Sequence, residues 1–178
     1  MADRVTNVVV AGLGGQGVLK ASDILAEAAF RAGLDVKKAE VHGMSQRGGS
    51  VRSDVRFGPE VFSPMVPNGS ADFLVVLAAD QVEPNRPCLA VGGVLISHEN
   101  IDENLLSNRR CLNVALLGVL SAHLKLPESH WLAAIRSNLP APLHEANCQA
   151  FAVGRKVGGS GSGAGPTMDR KDGARWLK

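Results

Sequence analysis

Residues 5–41 decide the fold: VTNVVVAGLGGQGVLKASDILAEAAFRAGLDVKKAEV. Val5 to Ala11 is apolar or β-branched at nearly every position, which predicts a strand buried on both faces. A glycine-rich turn, residues 12–17, ends this strand, and apolar residues then recur at helical spacing: Val18, Ala21, Leu25, Ala28 and Ala32. Gly33 lies where a helix is expected to end, and Asp35 to Val41 predicts a second strand. The stretch is therefore one βαβ unit, for which a right-handed crossover is expected.

The glycine turn is a candidate phosphate site. Gly12, Gly14 and Gly17 match the pattern G-x-G-x-x-G between a strand and a helix, where backbone N–H groups and the helix dipole favour an anion. The dinucleotide-binding form of this pattern also needs an acid near the end of the second strand to bind ribose, and Glu40 is roughly so placed. Because Gln16 is unusual in that fingerprint, the turn alone favours close helix packing or another phosphate ligand over NAD.

Further strands are expected downstream. Val51 to Phe57 alternates apolar and charged residues, which favours a half-exposed hairpin or edge ribbon, with a second short strand near Glu60–Phe62. The apolar run Asp72–Ala79 predicts a buried parallel strand, and Gly92-Gly93 is expected to turn into another strand, Val94–Ser97. These elements predict an α/β fold, a Rossmann-like three-layer sandwich whose mostly parallel sheet carries an antiparallel ribbon insertion.

The last third of the chain is predicted to be helical. Apolar spacing indicates a core helix over Asn113–Lys125, a second helix opening at Pro127-Glu128, and a last one from about Leu143 to Val157. Residues 158–178 begin with a Gly/Ser-rich run that cannot offset its ordering entropy by burial, which predicts a disordered tail. The chain is therefore expected to hold one folded domain, residues 1–157.

The composition argues against a nucleic-acid-binding protein. The chain has 178 residues, of which 45% are hydrophobic and 20% charged, and its formal net charge is +2. The segment 158–178 carries four bases and two acids, so the remaining residues are neutral overall. A neutral domain without tyrosine lacks the basic stripe and the stacking platforms that nucleic acids require.

The cysteines and the apolar runs indicate the cellular setting. Cys88, Cys111 and Cys148 are widely spaced and form no C-x-x-C pair, so they cannot alone build a disulfide framework, a zinc ribbon or a four-thiolate iron–sulfur site. Buried, reduced thiols are expected instead. No signal-peptide pattern is seen, and the longest apolar run, about a dozen residues over 111–122, is too short to cross a bilayer. A cytoplasmic location is expected.

A second polar motif follows the second predicted strand. Residues 42–50 read His-Gly-Met-Ser-Gln-Arg-Gly-Gly-Ser, a loop just beyond a strand end, where open α/β sheets bind ligands. Arg47 and Arg52 are candidates for a bidentate clamp on a phosphate or a carboxylate. The alternative is an exposed loop whose glycines only turn the chain.

Together the two motifs resemble a known family. Gly12-Leu13-Gly14-Gly15-Gln16-Gly17-Val18, followed by His42-Gly43-Met44-Ser45-Gln46-Arg47-Gly48-Gly49, resembles the small (beta) subunits of indolepyruvate:ferredoxin oxidoreductases. More broadly, it is similar to the gamma-type domain of the 2-oxoacid:acceptor oxidoreductase family. The resemblance covers about residues 5–157 and includes the pattern Asn147-x-x-Ala150-Phe151-x-x-Gly154 near its end. The Met-Ser-Gln-Arg-Gly-Gly form resembles the indolepyruvate branch more than the pyruvate or 2-oxoglutarate branches.

The resemblance implies an oxidoreductase subunit that is not active alone. The family reaction is oxidative decarboxylation of a 2-oxoacid, here an aryl pyruvate such as indolepyruvate, to an acyl-CoA. Thiamine diphosphate, Mg²⁺ and [4Fe-4S] clusters are expected on a large partner subunit, with ferredoxin receiving the electrons through the complex. This chain would contribute partner interface and a surface facing coenzyme A: Gly12, Gly14, Gly15, Gln16, Gly17, Met44, Ser45, Gln46, Arg47, Gly48 and Gly49. No catalytic residue and no metal ligand is assigned to it.

Two other functions stay open from the sequence. A free-standing NAD(P)-binding Rossmann oxidoreductase domain would use the same glycine turn, and binding of a nicotinamide dinucleotide would favour it. A non-catalytic scaffold subunit would contact no ligand, and unchanged coenzyme A affinity after Arg47→Ala would favour that function.

Overall fold

A computed structural model describes residues 4–43 and 48–160. Its five strands are β1 (Thr6–Leu13), β2 (Asp35–His42), β3 (Ser50–Gly58), β4 (Ala71–Val76) and β5 (Leu89–Ser97). Its α-helices are α1 (Val18–Arg31), α2 (Val82–Asn85), α3 (Leu112–His123), α4 (Glu128–Asn138) and α5 (His144–Gly159). None of the helices in these two ranges is long and apolar enough to span a bilayer.

The strands form one open sheet in the order β2-β3-β1-β4-β5. β4 pairs parallel with β1 and with β5, whereas β3 is antiparallel to both of its neighbours, β1 and β2. Four of the five strands therefore run in the same direction. This arrangement confirms the predicted α/β class with a mostly parallel sheet and an antiparallel insertion.

The antiparallel pairing of β2 and β3 confirms the predicted hairpin, but the alternative of an edge ribbon was wrong for residues 51–57, because β3 is an interior strand. Val8 of β1 lies opposite Val55 on one side, and Val36 of β2 lies opposite Phe57 on the other. Both faces of β3 are covered, and Asp54, on the face opposite Val55, is 0% exposed. The alternation of apolar and charged residues was misleading because Arg52 and Asp54 form an ion pair inside the fold.

The predicted strand at Glu60–Phe62 is absent. In this segment the Val61 N–H donates to Asp35 Oδ2 of β2 (2.8 Å), and further along the Val66 N–H donates to Asp54 Oδ2 of β3 (2.8 Å). Side chains of the sheet thus satisfy backbone groups that a neighbouring strand would otherwise pair. Residues 59–70 therefore form a loop that is held against the sheet by hydrogen bonds to side chains of β2 and β3.

The glycine pair at 92–93 lies inside a strand, where a turn before the strand was predicted. β5 begins at Leu89, and its pairing with β4 shifts register between Ala71 and Phe73. A Cβ on Gly93 would lie 2.7 Å from the carbonyl oxygen of Ala71, so the bulge brings the two backbones into close contact. β4 also ends earlier than predicted, at Val76, because a single 3₁₀ turn follows at Ala79–Gln81.

The longer helices cover one face of the sheet. Side chains of that face, including Val8 and Val75, form one buried cluster with residues of α1, α3, α4 and α5. α4 packs on α1, and α5 packs on α3. The opposite face carries a smaller cluster in which Val66 and Cys88 pack on Leu74. The last helix, α5, continues through Gly159, and residues 161–178 of the predicted tail lie outside the described residues.

Candidate functional site

The glycine turn at the carboxyl end of β1 is tightly built. Gly15 and Gly17 have φ values of +92° and +81°, a conformation that L-residues with a side chain rarely adopt. A Cβ on Gly12 would lie 2.9 Å from both Gln16 Oε1 and Val18 Cγ2. The turn therefore needs glycine at these positions for its own geometry, before any ligand is considered.

Part of the turn's hydrogen-bonding capacity is used internally. The Leu13 N–H donates to Gln16 Oε1 (2.8 Å), and the Gln16 N–H donates back to the Leu13 carbonyl (3.1 Å). The amides of Gly15 and Gly17 have no partner among the described residues, and α1 has no side-chain cap at its N-terminus. An anion at this turn would therefore meet Gly15, Gly17 and the first turn of α1. Gln16 holds the turn closed, which explains this unusual residue in the pattern.

The structure brings the two sequence motifs together. The Gly14 N–H donates to the Gly49 carbonyl (2.9 Å), and the Gly43 N–H donates to the Ser50 carbonyl (2.8 Å) across the β2–β3 connection. Gly48 and Gly49 therefore lie against the turn. The central residues of the second motif, 44–47, fall outside the described residues. Both described ends of this loop lie at the carboxyl edge of β1.

Asn113, which the sequence analysis placed only in a core helix, belongs to the same region. Its Nδ2 donates to the Gly17 carbonyl (3.2 Å), and a Cβ on Gly17 would approach that nitrogen to 2.5 Å. The contact places the N-terminus of α3 beside the N-terminus of α1. The sequence signal that could have identified Asn113 is its position as a polar residue at the start of an otherwise apolar helix.

Two exposed bases flank the paired helix N-termini. Lys20 lies in the first turn of α1, and Arg110 precedes α3 by two residues. Neither has an ion-pair partner among the described residues, whereas Arg109 lies 3.6 Å from Glu103. We call this region the carboxyl-edge site and define it by its members: Gly12–Gly17, Lys20, Gly49, Arg110 and Asn113. It lies beside the crevice between β1 and β4, where the strand order reverses and α/β sheets commonly bind ligands.

Glu40, the candidate ribose ligand, lies away from the glycine turn. β3 separates β2 from β1, so the two strands are about 10 Å apart at ordinary strand spacing. Glu40 also forms an ion pair with Lys38 (2.7 Å). Burial acts to lower the pKa of Lys38, but hydrogen bonds to Asp23 and Glu40 outweigh it and raise that pKa above its usual value. This geometry argues against ribose recognition of the dinucleotide type.

Arg52 does not contribute to an anion clamp, contrary to the sequence-based prediction. Its guanidinium binds Asp54 through two hydrogen bonds (2.7 and 3.0 Å) and also contacts Cys88 Sγ (2.7 Å). The hydrogen bond to Asp54 raises the pKa of Arg52. Its charge is therefore already matched on the face of the sheet that residues 59–70 cover.

The residues present do not fit a metal ion or an iron–sulfur cluster. Among residues 4–43 and 48–160, no group of three or more His, Cys, Asp or Glu side chains is placed to bind a metal. Cys88 and Cys111 are buried in different core clusters, and burial raises the pKa of both thiols.

Sequence comparison relates this chain to a known protein family. The sequence matches the family described as pyruvate ferredoxin/flavodoxin oxidoreductase over residues 7–105. It is 54% identical over 80 residues to indolepyruvate oxidoreductase subunit IorB of Thermococcus kodakarensis. That match spans 45% of this chain and only 39% of the relative.

Solved structures agree on the fold. The gamma subunit of a keto/oxoacid ferredoxin oxidoreductase from Geobacter sulfurreducens superposes with a TM-score of 0.72 at 24% identity, over 86% of this chain and 98% of that one. A 2-oxoglutarate:ferredoxin oxidoreductase from Magnetococcus marinus, with 2-oxoglutarate, coenzyme A and succinyl-CoA bound, gives 0.79 at 19% identity, over 93% of this chain and 33% of that one. The family match covers more than half of the sequence and confirms the resemblance carried by the two motifs, so the chain belongs to the pyruvate ferredoxin/flavodoxin oxidoreductase family.

Proposed function

We propose that this chain is the small, gamma-type subunit of a 2-oxoacid:ferredoxin oxidoreductase and that its carboxyl-edge site receives the phosphate groups of coenzyme A. The observation that carries the proposal is the Gly14–Gly49 hydrogen bond, which joins the two family motifs. Around this bond lie the uncommitted Gly15 and Gly17 amides and two helix N-termini. Backbone donors and helix dipoles of this kind favour phosphate.

The chemistry of the reaction belongs to a partner. Oxidative decarboxylation needs a group that stabilises the carbanion left by CO₂ and a group that accepts electrons, and thiamine diphosphate and iron–sulfur clusters supply these. The described residues include no group of His, Cys, Asp or Glu side chains that could hold a metal ion. We therefore assign thiamine diphosphate, Mg²⁺ and the [4Fe-4S] clusters to a large subunit, from which ferredoxin takes the electrons.

An aryl pyruvate, with indolepyruvate as the leading case, is the proposed substrate. The support is the sequence of the second motif, Met44 to Gly49, together with 54% identity to an indolepyruvate oxidoreductase subunit over 80 residues. The product would be the corresponding aryl-acetyl-CoA. Substrate choice would rest largely on the large subunit, because the 2-oxoacid reacts there.

Two exposed apolar side chains on the loop 59–70 support the assignment of a partner interface. Phe62 and Met65, on the loop 59–70, are 86% and 56% exposed. Arg56 of β3 donates to the Ser63 carbonyl (2.9 Å) and to the Met65 carbonyl (3.3 Å), which fixes this part of the loop. Exposed apolar side chains on a fixed backbone lose little conformational entropy when they are buried at an interface.

Co-expression with the large subunit tests the proposed function. The expected result is a stable complex with iron–sulfur absorbance that reduces ferredoxin in the presence of indolepyruvate and coenzyme A. 2-Oxoglutarate and pyruvate serve as competing substrates and should react more slowly. Failure to form the complex would contradict the proposal. Thermal stabilisation of the chain alone by NAD(P) would favour the dinucleotide-binding alternative.

Arg47→Ala tests the anion-binding role of the second motif. We expect the apparent KM for coenzyme A to rise about tenfold or more in the complex, since a charge-assisted hydrogen bond to phosphate would be lost. The KM for the 2-oxoacid should change little. Arg136→Ala is the matched control, because Arg136 is an exposed arginine on α4, far along the chain from both motifs. An unchanged KM for coenzyme A in Arg47→Ala would favour the scaffold alternative.

A further inference from the structure

A second concave surface lies at the opposite edge of the sheet. It is a groove of about 660 Å³ at the amino ends of β1 and β4, bounded also by the end of β3 and by the turns that follow α1 and α3. Small-molecule sites typically have volumes of about 300–1,000 Å³. We call it the amino-edge groove and define it by Leu34, Phe57, Phe73, Leu124, Lys125 and His130.

The floor of the amino-edge groove is apolar and partly aromatic. Phe57 is buried, and Leu34, Phe73 and Leu124 are half-buried. The rings of Phe73 and His123 lie 5.9 Å apart between centroids, at an interplanar angle of 44°. The floor therefore offers burial to a hydrocarbon chain or an aromatic ring. Apart from Thr6, every polar side chain of the wall is that of an arginine, a lysine or a histidine, so the wall contains no carboxylate or amide oxygen.

The rim of the groove is positively charged. Lys125 is exposed and has no ion-pair partner among the described residues. His130 Nδ1 is buried and has no hydrogen-bond partner within residues 4–43 and 48–160, and the His123 side chain is exposed. The wall contains no acidic residue. Asp72, at the start of β4, is already engaged by Arg4 (2.9 Å) and by the Asn7 N–H (2.8 Å).

We propose that the amino-edge groove binds a small organic anion that carries an aromatic or branched apolar body and a single carboxylate. The apolar floor takes the body, and the Lys125 ammonium and the histidine rings at the rim take the head group. This combination matches the usual pattern of a ligand pocket, in which apolar walls give affinity and a few polar groups fix orientation. The groove and the carboxyl-edge site lie at opposite ends of the strands, so the inference does not depend on the proposed function.

Titration of the full chain with 3-phenylpropionate tests the inference by NMR. The C2 protons of the histidines report the position of the ligand. We expect saturable shifts at His123 and His130, while the signals of His98 and His144 stay unchanged. The uncharged 3-phenylpropionamide should bind about tenfold more weakly, because it lacks the charge that pairs with the basic rim, and acetate should bind weakly because it lacks the apolar body.

Charge reversal on the rim locates the head group. Lys125→Glu should weaken 3-phenylpropionate binding by tenfold or more, whereas Lys156→Glu, at an exposed lysine of α5, should leave it unchanged. Both positions are exposed, so both variants are expected to fold. Equal binding of the amide and the carboxylate, no saturable binding, shifts confined to His98 or His144, or wild-type affinity in Lys125→Glu would each overturn the inference.

Discussion

Replacing Asp54 with alanine should lower the free energy of unfolding by about 3–5 kcal/mol, the cost of removing one partner of a buried ion pair. The Asp54 side chain is 0% exposed, and that of Arg52 is 20% exposed. Besides its two hydrogen bonds from Arg52, Asp54 accepts the Val66 N–H at 2.8 Å. The substitution therefore leaves a guanidinium without its counter-charge and a buried amide without an acceptor. Urea denaturation of both proteins measures the difference.

The exposed pair Glu83–Arg86 is the matched control for Asp54→Ala. This pair also joins a carboxylate to an arginine, at 2.8 Å, but the Glu83 side chain is 76% exposed. We expect Glu83→Ala to destabilise the protein far less than Asp54→Ala, because solvent screens the exposed pair. The double variant Arg52→Met/Asp54→Leu should be less destabilised than Asp54→Ala, since no buried charge remains. Equal losses in Asp54→Ala and Glu83→Ala would show that the buried pair is not a major stabilising contact.

Loss of Asp54 should also release the loop 59–70. Arg52 donates to the Val66 carbonyl (3.2 Å), so both the donor and the acceptor of Val66 depend on this pair. Limited proteolysis should cut Asp54→Ala within 59–70 under conditions in which the wild-type loop is resistant. The same variant would then form the proposed complex less well, because Phe62 lies on this loop.

Local patterns in the sequence were sufficient to predict the first βαβ unit. The helix predicted from Val18 to Ala32 is α1, and Gly33 adopts φ +79° at its end, as its position predicted. These features depend on neighbours within a few residues, which the apolar periodicity reports directly. The order of strands depends on distant residues, because β3 pairs with β1 across 37 or more residues of chain.

The burial of charged side chains on β3 was not predicted from the local sequence pattern. The alternation in Val51–Phe57 predicts a strand with one solvent-exposed face. Residues two apart on a strand share a face, however, so Arg52 and Asp54 are placed to form an ion pair. That spacing was an available signal for a buried ion pair. The loop that covers the pair, 59–70, has no periodic pattern, so the sequence offered no sign that this face would be closed.

The carboxyl-edge site was predictable in part. Both motifs were identified, and the rule that ligands bind beyond the carboxyl ends of strands placed them at one edge. The sequence did not show that Gly14 and Gly49 would hydrogen-bond, nor that Asn113 would reach Gly17. The amino-edge groove was not foreseen, because its wall joins residues from 4 to 130 with no shared local pattern.

The other large effect on stability is expected at the close contact between α3 and α5. This contact also explains the pattern Asn147-x-x-Ala150-Phe151-x-x-Gly154. Asn147 bonds the Leu143 carbonyl at the helix start (2.8 Å), and Phe151 lies 5.6 Å from the Trp131 ring. Gly154 faces α3, and a Cβ there would overlap the carbonyl oxygen of Ala115. Because the atom it would strike is backbone, no side-chain rotation relieves the clash, and the two helices would have to separate.

Gly154→Ala should therefore destabilise the protein by more than about 3 kcal/mol, the upper range for overpacking, and lower Tm by more than about 6 °C. The sign is diagnostic, because glycine to alanine inside a helix otherwise stabilises by up to about 1 kcal/mol. Gly159→Ala is the matched control on α5, since a Cβ there meets nothing within 4 Å, and it should be neutral or slightly stabilising. Gly158→Ala, whose Cβ would lie 2.7 Å from the Val119 carbonyl, should fall between them. Thermal unfolding that gave Gly154→Ala the same Tm as Gly159→Ala would contradict this account of how α5 is held on α3.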